Sequence, residues 1–107
     1  MKKGDIILVP FPFTDLMGNK KRPALVLISS PEDVTVCFIT TKFERKSISD
    51  IVVKPTFGNG LKKDSVIRLN KIATLDKEIV LGRLGTLEES VVKEINKNLI
   101  RILQLQK

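Results

Sequence analysis

Up to Thr86 the apolar positions come in short runs broken by turn-forming residues, and beyond it they recur at helical spacing. Asp5 to Val9 is a β-rich run ended by Pro10 and Pro12, which have no amide to give to a sheet, so this strand is expected to finish at an edge or rim. Thr14 to Arg22 reads as a loop holding Gly18-Asn19 and three consecutive cations, after which Pro23 opens a second strand, Ala24 to Ile28. Further strands are expected at Val34 to Thr40, Ile51 to Lys54, Ser65 to Leu69, Lys71 to Leu75 and Val80 to Leu84, with a turn at Phe57 to Gly60. The spacing of Thr86 to Glu89 predicts a capping box opening one helix. Its apolar face is Val91, Val92, Ile95, Leu99, Ile102 and Leu103. Short strands at close spacing with one terminal helix imply a mainly β fold, a small rolled sheet or partly open barrel.

Length and composition sharpen this. The 107 residues suit a single domain spanning 1–107, with one hydrophobic core. Nineteen Lys and Arg against twelve Asp and Glu leave +7, a balance that favours a polyanionic partner such as nucleic acid or an acidic protein segment. The one cysteine, Cys37, lies in the apolar run Val36 to Ile39 and reads as a buried thiol in a reducing, cytoplasmic setting. Asp5 and the early prolines break up any signal-peptide core, and no apolar run approaches the ~20 residues of a membrane span. Neither export nor a membrane partner is expected.

Candidate chemistry is narrowed by what is missing. The sequence has no His and a single Cys, so no zinc or iron site and no imidazole-based nucleophile pair is expected. It has no phosphate-loop or dinucleotide fingerprint either, so no cofactor is expected. What remains is a set of cations and hydroxyls near strand ends, among them Lys20, Lys21, Arg22, Thr40, Thr41, Lys42, Arg45, Lys46, Lys62, Lys63 and Arg68. A guanidinium pairs with phosphate oxygens and stays charged at any working pH, which makes Arg22 the natural phosphate clamp if these ends converge. Otherwise the same residues are solvated surface charges.

The segments GDIILVPFPFTDLMGNKKRPALVL, FITTK, DSVIRLNKIATLDKEIV and GRLGTLEE, in this order, resemble the MazF/PemK family of bacterial toxins. The resemblance implies an SH3-like barrel, a homodimer, and a metal-independent endoribonuclease that cuts single-stranded RNA and is neutralised by a cognate antitoxin. Family members carry an active-site Arg directly before the proline of the second strand and a Thr at the end of the third, and those positions match Arg22 and Thr40. Arg68 matches the Arg of an Arg-x-Asp arrangement found in some members, whereas Asn70 stands where the acid would be. A neutral amide cannot take a proton, so the base is another carboxylate such as Asp15 or Asp64, or Arg22 and water suffice, or activity is low. Lys20, Lys21, Thr41, Lys42, Arg68 and Asn70 are the expected RNA contacts. Phe11, Phe13, Phe43 and Phe57 offer faces on which bases could stack, although packing explains Phe11 and Phe13 as well.

Two other functions fit parts of the sequence. One is a non-catalytic nucleic-acid- or protein-binding toxin-like module. Gyrase-poisoning relatives end in a Trp-containing tail, which this Trp-free chain does not share. The other is an SH3-like adaptor, which leaves Arg22 and Thr40 without a role.

Overall fold

The computed structural model describes residues 1–11, 20–43 and 47–106. In chain order these form β1 (Asp5–Phe11), β2 (Lys20–Ser29), β3 (Asp33–Thr40), β4 (Ile51–Val53), β5 (Ser65–Asp76), a 3-10 turn (Lys77–Ile79), β6 (Gly82–Thr86) and α1 (Glu89–Ile102). The strands make one antiparallel sheet in the order β4-β5-β3-β2-β1-β6. It is curled, and the Thr86 amide donates to the Gly58 carbonyl at 2.9 Å, joining β6 to the connection between β4 and β5. The result is the small rolled sheet with a C-terminal helix that the strand pattern implies, in the SH3-like form that the family resemblance implies.

Side chains alternate across each strand, so both faces of the sheet carry an apolar set. One face holds Ile6, Leu25, Cys37, Ile39, Ile67 and Leu69, and α1 covers it with Ile95 and Leu99. Burying each of those two helix residues contributes roughly 1.5–3 kcal/mol. The other face holds Ile7, Val9, Ala24, Val26, Val34, Val36 and Leu75, with Ala73, Ile79 and Val80 packed against it.

Several boundaries differ from those the sequence suggests, each for a physical reason. β1 runs through Pro10 to Phe11, because the Leu8 carbonyl accepts from Leu81 on the β6 side and Pro10, two residues on, faces that same side after β6 pairing has ended at Leu8. Its missing amide therefore interrupts no ladder. The extension pairs Phe11, Pro10 and Val9 with Lys20, Lys21 and Arg22, so these three cations belong to a strand and not to a loop. The expected strands Ser65 to Leu69 and Lys71 to Leu75 are one long β5 with a bulge, since Phe38 pairs with Arg68 while its neighbour Cys37 pairs with Ile72.

The capping box does not form. Thr86 stays in the sheet opposite Asp5, its hydroxyl donates to the Gly4 carbonyl at 3.3 Å, and the helix starts at Glu89 after an N-cap, Glu88, that makes no side-chain hydrogen bond. Leu103 caps the helix end and is exposed, whereas Val91, Val92 and Ile102 pack as the helical spacing predicts.

The turn around Asn59 is tightly built. Its side-chain oxygen accepts the amides of Thr56 and Leu61, and its Nδ2 donates to the Lys54 carbonyl. Gly60 has φ +73°, and a Cβ there would collide with the Leu84 carbonyl, so glycine is required where this turn meets β6.

Candidate functional site

The pleat brings the site together. Val9 pairs with Arg22, and the row Ala24, Phe38, Arg68 runs across β2, β3 and β5. Paired residues point to the same face, as do residues two apart, so Arg22, Ala24, Phe38, Thr40 and Arg68 all project from one side of the sheet. They line a cavity of about 350 Å³ together with Val9, Pro23, Ile39, Lys42 and Lys71.

Pro23 opens this cavity. The Val26 carbonyl accepts from Gly4 on the β1 side, so residues 22, 24 and 26 direct their backbone groups toward β1 and Pro23 faces β3, where it has no amide to give. The β2–β3 ladder accordingly begins only at Ala24 and Phe38. Proline also holds the preceding residue extended, which fixes the backbone from which the half-buried Arg22 side chain projects.

Thr40 ends β3, and its Oγ1 accepts the Lys42 amide at 3.1 Å. A hydroxyl has one proton and two lone pairs, so this contact uses an acceptor position and leaves the O–H to donate into the cavity. Arg68 is held from behind: its Nε lies 3.6 Å from Oδ2 of Asp50, whose side chain is fully buried and accepts the Ser47 amide at 2.8 Å.

Of the eight residues singled out in the sequence, the structure brings Arg22, Thr40, Lys42 and Arg68 to one cavity. Lys20 and Lys21 are exposed at the start of β2, Thr41 is exposed beside Thr40, and Asn70 is exposed inside the β5 bulge; none of these four lines the cavity. Asp64 is exposed and off the lining, and Asp15 and Phe13 fall outside the described residues, as do Arg45 and Lys46. Phe43 and Phe57 are exposed, the latter fully.

Three residues were missed. Lys71 reaches the cavity because the bulge resets the pleat: Val36 pairs with Ala73, and Lys71, two residues earlier, returns to the cavity face. Phe38 offers the cavity an aromatic surface but reads in sequence as one more apolar strand residue. Asp50 precedes the short Ile51 to Lys54 run, and nothing local in the sequence ties it to Arg68.

The described lining carries four cations and no carboxylate. Among the described residues no group of three or more His, Cys, Asp or Glu is placed to hold a metal ion. Cys37 is fully buried on the helix-covered face, where burial pushes its thiol up to about 12, so it is a packing residue outside the site. Asp5, also remote from the cavity, is buried against the Lys2 amide and Arg83.

A family model described as the PemK-like, MazF-like toxin of type II toxin-antitoxin systems matches residues 2–103. The chain belongs to the PemK/MazF-like toxin family. Among the relatives of this PemK/MazF-like chain, endoribonuclease MazF2 of Mycobacterium bovis is 30% identical over 92 residues, covering 80% of this chain and 81% of the relative. Endoribonuclease MazF6 of Mycobacterium tuberculosis matches to the same extent. In three dimensions the chain is similar to the Mycobacterium tuberculosis toxin MazF-mt6, with a TM-score of 0.77 at 21% identity over 96% of this chain and 99% of that one. It is equally similar, with a TM-score of 0.77 at 20% identity over 100% of this chain and 98% of the other, to a mycobacterial endoribonuclease solved in complex with its cognate antitoxin. These likenesses establish the MazF-type barrel for this PemK/MazF-like chain. No helix among its described residues is long and apolar enough to cross a membrane.

Proposed function

We propose that this chain is a metal-independent endoribonuclease toxin that cuts single-stranded RNA. The observation that carries the reading is the convergence of Arg22, Thr40 and Arg68 on one cavity rich in positive charge. The names of its MazF relatives support the same activity. In the proposed reaction the 2′-oxygen attacks the adjacent phosphorus, forming a 2′,3′-cyclic phosphate, while the bond to the 5′-oxygen breaks and that oxygen leaves as a hydroxyl after taking up a proton. Arg22 stabilises the negative charge growing on the phosphoryl oxygens, and Thr40 donates a hydrogen bond to one of them. The 2′-hydroxyl proton goes to water or to a carboxylate such as Asp15, which lies outside the described residues; the described lining itself offers neither carboxylate nor imidazole. Lys42 and Arg68 neutralise the scissile region, and Lys20, Lys21, Thr41 and Asn70 contact the flanking RNA.

The toxin acts as a homodimer in the cytoplasm, with residues 1–107 as one domain. An acidic or amphipathic segment of its antitoxin competes with RNA for the cationic cavity, in keeping with the antitoxin complex of its structural neighbour. The test is to incubate the protein with a long single-stranded RNA in excess EDTA and map fragment ends alongside Arg22→Ala. Cuts with 5′-hydroxyl ends that vanish in the variant are expected. RNA bound tightly yet left intact would favour a non-catalytic binding module.

A further inference from the structure

Arg68 lies on the cavity face of β5, yet its Nε is turned away from solvent toward a carboxylate outside the cavity lining. That carboxylate belongs to Asp50, immediately before β4, on the far side of β5 from Phe38 and the rest of the site. Its side chain is fully buried, whereas the Arg68 side chain is 19% exposed. The separation of 3.6 Å is an ion-pair distance and longer than a hydrogen bond between charged groups. Among the described residues, Arg68 Nε and Asp50 Oδ1 have no hydrogen-bond partner. Burying a carboxylate is costly unless a cation stands against it, so this pair requires a reason beyond stability.

We propose that Asp50 is a positioning residue: it holds Arg68 by Nε so that the two Nη groups are presented to the phosphodiester in the cavity. The inference rests on the endoribonuclease reading and assigns a task within it. A long side chain free to rotate would give up conformational freedom on meeting the transition state. One already clamped at Nε gives up less, and its planar fork keeps the remaining donors at a fixed angle. Asp50 is placed to do this because its Oδ2 is itself oriented by the Ser47 amide. A Lys at position 68 could not substitute, since its single ammonium would be captured by the carboxylate.

The experiment compares RNA cleavage by the wild-type protein, Asp50→Asn, Arg68→Ala, the double variant and Arg68→Lys, with circular dichroism and thermal melting to establish folding. Asparagine preserves shape, and the oxygen that accepts the Ser47 amide still faces Nε, but that oxygen is neutral, so the charge that holds the guanidinium is lost. A misplacement of about 1 Å can cost ~10²-fold in rate, so kcat/KM of Asp50→Asn is expected to fall on the order of 10- to 100-fold, mainly through kcat. The double variant should be no slower than Arg68→Ala, because Asp50 acts only through Arg68. Arg68→Lys should be as slow as Arg68→Ala, an outcome that does not depend on Asp50→Asn folding. Full activity in Asp50→Asn, multiplying losses in the double variant, or an active Arg68→Lys would each overturn the positioning role while leaving the nuclease reading intact. A wild-type protein that leaves RNA uncut would overturn both.

Discussion

Arg22 and Thr40 each stand two residues beyond the pair Ala24 and Phe38, one on β2 and one on β3, and their side chains line the same cavity. They flank the step where Pro23 withholds an amide, so the guanidinium and the hydroxyl can approach one phosphodiester from neighbouring strands.

From this arrangement Arg22→Ala and Thr40→Val are expected to fold and to lose cleavage. Removing one donor from an oxyanion-type site typically lowers kcat by about 10²–10³-fold, and Thr40→Val deletes the donor while nearly preserving volume. A fluorogenic single-stranded RNA assay with matched melting curves checks both. Wild-type turnover in Thr40→Val would remove the hydroxyl from the mechanism.

If the cavity cations hold RNA phosphates, affinity for RNA falls with added salt through counterion release. Lys42→Ala and Lys71→Ala should each flatten the plot of log affinity against log salt by about 0.7 if each lysine neutralises one phosphate of a single strand. Titrating an uncleavable oligonucleotide at several salt concentrations measures this. An unchanged slope for Lys71→Ala would place that lysine outside the RNA path.

Cys37 should resist thiol reagents in the native protein and react once it unfolds, which labelling with and without denaturant reads directly. Its thiol is raised from an ordinary 9.0 to about 12 by burial, so between those values the unfolded chain ionises and the folded one does not. The contribution is intact below pH 9.0 and is lost as pH climbs toward about 12. Cys37→Ala should show a shallower alkaline decline in stability.

Asp5 has the opposite sign. Burial alone would raise its pKa, but the Lys2 amide, the Thr86 hydroxyl and Arg83 together hold it below its ordinary value. Its stabilisation is therefore present above the ordinary carboxylate pKa and disappears as pH falls through the lowered one. Asp5→Asn should destabilise by on the order of 1–3 kcal/mol near neutrality and show a smaller loss on acidification, measured by denaturant melts across pH.

Gly60→Ala should destabilise by roughly 1–3 kcal/mol, since the new methyl meets the Leu84 carbonyl at a positive φ. Gly82→Ala, where a Cβ meets nothing within 4 Å, should change stability by no more than about 0.5 kcal/mol. Equal melting temperatures for the two variants would contradict the tight seam between the Asn59 turn and β6.

The succession of strands and the terminal helix were legible because period-two and helical spacing are local signals, whereas Arg22 and Thr40 were singled out together only through the resemblance to the MazF/PemK family. Pairing across the sheet is not local. Nothing in the run Lys20-Lys21-Arg22 reveals that β1 extends to meet it, and nothing around Asn70 reveals the bulge that returns Lys71 to the cavity. Thr86 satisfies the spacing of a helix cap, yet the Gly4 carbonyl and the pairing with Asp5 claim it first. Asp50 was hidden for the same reason, because its partner lies on another strand.

The interrupted ladder beside Pro23 has a bearing on how the site receives its ligand. Where β2 and β3 are paired, spreading them means rupturing amide–carbonyl bonds, whereas at this step one of the donors was never there. The mouth between Arg22 and Thr40 can thus widen without rupturing an amide–carbonyl bond at Pro23, and a ligand of greater bulk would be admitted there without loosening the strands beneath.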